Sequence, residues 1–141
     1  MLVVGATNRP QELDEAARRR FVKRLYIPLP EAEARQSLLE NLIKKNASSL
    51  TSDEIQDVVK RTKGYSGADM RSLCTEAAMG PIRDLGSDIC GLKASDVPPI
   101  NSLHFDQALR SIKPSVSSKD LGDLKKWNEE FGTFQRIDEV V

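Results

Sequence analysis

The sequence of 141 residues is poor in the residues that most often build reactive centres. It has one histidine and two cysteines. His104 alone argues against a histidine-based catalytic centre or metal cluster. Cys74 and Cys90 follow no ligand or disulfide spacing, which fits a reducing compartment and argues against a zinc site. Charge of either sign is not in excess, with 21 basic and 21 acidic side chains. No global field therefore directs the chain to nucleic acid or to a membrane surface. Aromatic residues are few (one tryptophan, two tyrosines, four phenylalanines) and no stacking platform accompanies the basic residues. No apolar run approaches the length of a membrane span, and the N-terminal segment lacks the layout of a signal peptide. These absences lead to the expectation of an intracellular globular protein with no membrane contact and no direct nucleic-acid site.

What is present is mostly helical patterning. Two short stretches read as strands: Leu2 to Val4, apolar and β-branched as in a strand buried on both faces, and Arg24 to Leu29, where Leu25, Ile27 and Leu29 alternate with other residues. Between them Asn8-Arg9-Pro10 marks a turn, and Glu12 to Arg18 can form a short helix. After Pro30 the apolar period becomes helical. Ala34, Leu38, Leu39, Leu42 and Ile43 predict one face of a helix. Thr51-x-x-Glu54 and Ser66-x-x-Asp69 predict capping boxes opening two more. Gly80-Pro81 predicts a kink in the second of these. Residues 86–101 read as a loop, Phe105 to Ile112 as a helix ended by Pro114, and Ser117 as the cap of a last helix ending at Gly132. The tail after Phe134 is expected to fray. Two strands cannot make a doubly wound sheet, so the opening reads as the end of an α/β domain, followed by a helical unit.

The runs "LVVGATNRPQELDEAARRRF", "GYSGADM", "EAAMGPIRDL" and "SVSSKDLGDLKKWNEEFG" together resemble the second half of the ATPase core, the helical lid and the last helix of AAA-family ring ATPases. The resemblance is to the meiotic clade of katanin, spastin and fidgetin. "ARRRFVKRLYIPLPEAEAR" is most similar to the fidgetin-like members, with spastin next. The fold class this implies is mainly α: the end of a P-loop α/β core (residues 1–29), a helical AAA lid (30–113), and a C-terminal helix and tail packing on the core (114–141). No G-x-x-x-x-G-K-[ST] loop and no apolar strand ending in Asp-Glu occurs in the sequence, so neither a phosphate cradle nor a Mg²⁺ ligand set is expected here. The resemblance implies ATP as cofactor, with Mg²⁺ in the complete protein, and a homo-hexameric ring. Its substrate would be a protein polymer, either microtubules or a recombinase filament in DNA repair, in cytoplasm, cytoskeleton or nucleus. The chain by itself is expected to be inactive; a freestanding helical interaction module is the competing reading.

The resemblance assigns roles residue by residue. Asn8, after the first strand, corresponds to the sensor amide that orients water against a γ-phosphate; without the resemblance it is an ordinary turn residue. Arg19 and Arg20 correspond to paired arginine fingers, whose permanent charge can stabilise a phosphoryl-transfer transition state on a neighbouring subunit. The alternative is a solvated basic cluster within Arg18–Arg24, to which Arg18 and Lys23 are assigned, with Arg24 on such a cluster or an interface. Gly67 and Ala68, at the start of the lid helix, correspond to the adenine- and ribose-facing backbone, where small side chains permit close approach. The same positions also suit a plain helix start. Trp127 and Phe131 read equally as docking residues of the C-terminal helix and as core anchors. Metal ligands are expected nowhere in the sequence.

Overall fold

The computed structural model describes residues 1–44, 46–86, 93 and 96–133. The frayed tail expected after Phe134 and half of the loop expected over 86–101 (residues 87–92, 94 and 95) lie outside the described residues. The chain divides into two compact units: Leu29–Val116, and Met1–Pro28 together with the chain from Ser117 onward.

The larger unit is all helical among its described residues: α2 (Ala32–Ile43), α3 (Ser52–Arg61), α4 (Gly67–Ala78), α5 (Gly80–Asp84) and α6 (Ser102–Ser111). The two capping boxes form as the sequence predicts. Thr51 and Glu54 exchange side-chain and backbone bonds at the start of α3, and Ser66 and Asp69 do so for α4. Helix α4 lies in the middle, packed against α2 and α6, while α2 also packs on α3. Leu39, Met70, Leu73, Ile100 and Phe105 are fully enclosed, and each such side chain contributes roughly 1.5–3 kcal/mol through removal from water. Cys74 joins this core, where burial pushes its thiol up to about 12, so it is an inert packing residue.

Three polar features tie the larger unit together. The buried stripe of α2 runs through Arg35, Leu39 and Ile43, so a guanidinium takes the place expected for Ala34. Arg35 is tolerated inside because it donates to the Pro30 carbonyl (2.9 Å) and the Val59 carbonyl (3.0 Å). Residues ahead of α6 are pinned by one parallel bridge, Ser48 to Ile100, with Ser49 N–H donating to Ile100 O (2.9 Å) and Ile100 N–H to Ala47 O (2.8 Å). Arg61, held by Asp57 (3.1 Å) and Asp106, links α3 to α6.

At the expected kink the helix breaks into two segments, with Pro81 buried in the first turn of α5. The adjoining Gly80 is required by space. A Cβ there would stand 2.5 Å from His104 Cδ2 and 2.6 Å from Cγ. His104 itself is buried and serves as the N3 partner of an Asn101 capping box. Its Nδ1 accepts from the Asn101 N–H (3.1 Å), which places the ring proton on Nε2, 2.9 Å from Asp84 Oδ2. The lone histidine is thus a strut between α6 and the end of α5.

The smaller unit contains a 3-10 turn (Pro10–Glu12), α1 (Glu15–Arg20) and α7 (Ser118–Phe131), with α7 packed against the 3-10 turn. Asp14 caps α1 by accepting from Ala17 N–H (2.6 Å). Ser117 caps α7 by accepting from Asp120 N–H (3.1 Å). The two expected strands do not form. Leu2, Val3 and Val4 are 60–88% exposed, as are Leu25 and Ile27 at 69% and 87%. A strand exists only by pairing, and no described segment forms a ladder with either stretch. The mainly helical class stands, while the β character expected at the two stretches is absent.

Candidate functional site

The expected site residues fall on both units. Asn8, Arg19 and Arg20 belong to the smaller one; Gly67 and Ala68 belong to the larger.

Asn8 is exposed at a bend between the opening apolar stretch and the 3-10 turn. The Thr7 hydroxyl accepts from the Arg9 N–H (3.0 Å), Arg9 pairs with Glu12 (3.1 Å), and Pro10 is buried beneath. The local chain is therefore held on the C-terminal side of Asn8, and Asn8 itself is exposed.

Three consecutive arginines close α1, where positive charge complements the carbonyl end of the helix dipole. Successive residues step by about 100° around a helix, so the three go separate ways. Arg18 turns inward: it donates to the Leu13 carbonyl (3.0 Å) and lies 5.0 Å over the Phe131 ring. The sequence reading of Arg18 as a solvated cluster residue is corrected here, because a guanidinium stacked on an aromatic and bonded to a carbonyl is a structural staple. Arg19 folds back onto Glu15 at 2.5 Å, with both side chains more than two-thirds exposed. Such a pair is worth about 0.3–0.5 kcal/mol and yields readily to a stronger anion. Arg20 is exposed and forms no ion pair among the described residues. Asp14, Glu15, Ala16, Arg19 and Arg20 line an open groove of about 510 Å³. A second groove of about 430 Å³ shares Glu15 and Arg19 with it and reaches Arg18, Val22, Arg24 and Phe131. This end of α1 thus presents two exposed guanidinium groups beside a capped helix start.

Gly67 and Ala68 occupy the first turn of α4, and both are exposed. A Cβ on Gly67 would meet nothing within 4 Å, so the backbone is open to a flat ligand. The cap beneath them is firm. Burial pushes the Asp69 carboxyl up, but hydrogen bonds from Ser66 and Ser115 outweigh it and hold the group below its ordinary range. Among the described residues no cluster of histidine, cysteine and carboxylates could hold a metal. No helix among them is long and apolar enough to cross a membrane.

Two sets of residues escape a reading of local sequence. One is the Asn101–His104–Asp84 strut, whose cap pairs asparagine with histidine in place of the usual acid. The other is Phe131 and Thr133 against Arg18, Val22 and Arg24, contacts spanning more than a hundred residues that no local pattern announces.

Residues 52–95 match the AAA+ lid domain, and residues 92–132 match the Vps4 C terminal oligomerisation domain. Fidgetin-like protein 1 of Rattus norvegicus is 55% identical over 133 residues, which are 94% of this chain and 20% of that protein. The chain thus spans about a fifth of the length of the curated relatives it matches. The crystal structure of the FIGL-1 AAA domain in complex with ADP superposes with a TM-score of 0.90 at 50% identity, covering 94% of this chain and 46% of that one. A structure described as the structural basis for katanin self-assembly superposes with a TM-score of 0.73 at 36% identity, covering 85% and 44%. Over nearly its whole length the chain is therefore similar to fidgetin-like AAA proteins, with regions that match the AAA+ lid domain and the Vps4 C terminal oligomerisation domain.

Proposed function

We propose that this chain supplies the sensing, lid and ring-contact part of an AAA ATPase that binds ATP with Mg²⁺, assembles as a homo-hexameric ring and remodels a protein polymer inside the cell. The unit Leu29–Val116 acts as the lid, with Gly67 and Ala68 against the adenine and ribose. The residues before Leu29 and from Ser117 belong with the ATPase core. Asn8 orients the attacking water. Arg19 and Arg20 reach the nucleotide of the neighbouring subunit, where charge develops during phosphoryl transfer. The observation that carries the reading is the end of α1, where Arg19 is held only by an exposed Glu15 and Arg20 by no ion pair among the described residues. Two guanidinium groups on a capped helix, lining an open groove, are poised for a ligand the chain itself does not hold. The likeness to a structure described as the basis for katanin self-assembly supports assembly of the subunits, and microtubules are the polymer that the resemblance to katanin and spastin implies.

The test uses the complete protein. Arg19→Ala and Arg20→Ala should each lower kcat by about 10³-fold, the lower end of what an arginine finger supplies, and leave nucleotide affinity nearly unchanged. Mixing either variant with a subunit that cannot bind ATP should depend on which subunit carries the arginine. Loss of nucleotide binding itself in the arginine variants would refute the assignment.

A further inference from the structure

Helix α1 is six residues long and buries none of its side chains. No apolar core therefore holds the direction in which Arg19 and Arg20 point. Something else must, and the polar contacts around the residues that follow α1 supply it. Beyond Arg20 the chain runs through Phe21, Val22, Lys23 and Arg24 without helix or ladder. The Phe21 N–H still donates to the Ala17 carbonyl of α1 (2.9 Å), and beyond it three backbone groups, the Val22 carbonyl and both groups of Arg24, are taken by a single distant residue. The Thr133 hydroxyl accepts from the Arg24 N–H (2.9 Å) and donates to the Val22 carbonyl (3.0 Å), while the Thr133 N–H donates to the Arg24 carbonyl (3.0 Å).

The contacts close into a circuit. The Arg24 guanidinium donates back to the Arg18 carbonyl at the end of α1 (3.4 Å). Arg18 bonds the Leu13 carbonyl ahead of α1 and stacks on Phe131, which itself lies 5.4 Å from Trp127. Phe131 is the last residue of α7, and Gly132 is all that separates it from Thr133. Gly132 is needed there: a Cβ would strike both the backbone oxygen and the side chain of Asn128. The chain can thus leave α7 at once in an extended direction and deliver the threonine to Val22 and Arg24.

We propose that Thr133 is a positioning residue for the arginine pair, its hydroxyl fixing the stretch behind α1 so that Arg19 and Arg20 project in a defined direction. The inference rests on the finger reading given above. Hydroxyl chemistry is specific here, because one oxygen must donate and accept at once. Valine has the same shape and does neither; serine does both.

In the complete, assembled protein, Thr133→Val should lower kcat by about 10- to 100-fold, since misplacing a reacting group by 1 Å costs up to roughly 10²-fold. The KM for ATP should stay unchanged, and Thr133→Ser should restore kcat. Thr133→Ala serves as second variant if the valine form does not fold. Arg19→Ala is measured alongside, and each protein is assayed across a range of concentrations. Thr133→Val with undiminished kcat beside an inactive Arg19→Ala would overturn the inference alone, as would a serine form as slow as the valine form. A loss that disappears at high protein concentration would mean that Thr133 serves assembly, and would also overturn it. An Arg19→Ala protein with normal kcat would remove the finger reading and this inference with it.

Discussion

Replacing Gly80 by alanine would place a methyl group inside the His104 ring's van der Waals envelope, 2.5 Å from Cδ2 and 2.9 Å from Cβ. Carbon atoms need about 3.5–4.0 Å, so the ring must move by roughly 1 Å or more. It cannot move freely. His104 is 3% exposed and fixed at both nitrogens, by the Asn101 N–H at 3.1 Å and by Asp84 at 2.9 Å. Overpacking of this kind costs about 1–3 kcal/mol, and loss of each hydrogen bond a further 0.5–1.5 or so. Alanine's better helix propensity offsets up to about 1 kcal/mol. The net expectation is a destabilisation of about 2–3 kcal/mol, which lowers Tm by roughly 10–20 °C in a unit of this size. Thermal unfolding followed by circular dichroism measures it. The decisive comparison is a double-mutant cycle with His104→Ala. In that background the space is open, so Gly80→Ala should become neutral or stabilising. An equal cost in both backgrounds would show that the ring contact is not the cause and would refute the reasoning.

Other outcomes follow from the same contacts. Asp69 is held ionised in the folded state, so its folded pKa lies below its unfolded one; its contribution is present above about pH 4 and lost as pH falls through the folded value. Acid titration of the larger unit should show this loss, and Asp69→Asn should flatten that limb while lowering stability at neutral pH. Arg35→Lys should not substitute for arginine, because one ammonium cannot span the Pro30 and Val59 carbonyls in the same geometry; a loss of about 2–4 kcal/mol is expected in urea unfolding, near that of Arg35→Ala. The exposed Leu2–Val4 and Leu25–Ile27 stretches are templates for edge pairing. The 141-residue chain should therefore self-associate in sedimentation, whereas a form spanning residues 29–116, the larger unit alone, should be monomeric and helical.

The helical larger unit was legible because its signals are local. A capping box such as Thr51–Glu54 or Ser66–Asp69 is complete within four residues, and the chain executes it wherever it stands. The Asn101–His104 box obeys the same geometry, but the sequence pattern leaves Asn101 in a loop and starts the helix at Phe105, since histidine is rarely the returning partner. In α2 the apolar pattern finds Leu39 and Ile43 but takes Ala34 where Arg35 is buried, because a hydropathy pattern ranks arginine as surface. Only the distant Val59 carbonyl reveals why Arg35 goes inside. Strand identity at Leu2–Val4 and Arg24–Leu29 is a property of pairs, and a sequence pattern describes one partner at a time. At the candidate site the local run places Gly67 and Ala68 on a helix start, but it ends the short helix at Arg18, whereas α1 continues through Arg20. What holds α1 is not in that run, because Arg18 meets Phe131 across more than a hundred residues.

The chain crosses between its two units twice, near Leu29 and near Val116. Just inside the first crossing the Pro30 carbonyl is held by Arg35, and just inside the second the Ser115 N–H is held by Asp69 (3.3 Å). A pull arriving along the backbone at either end is therefore taken up at once by a buried charged side chain anchored in α2 or α4. It is not spent unravelling a helix turn by turn. Mechanically the larger unit is a lever gripped at both of its attachment points, able to pass load through its packed helices without first yielding at the ends.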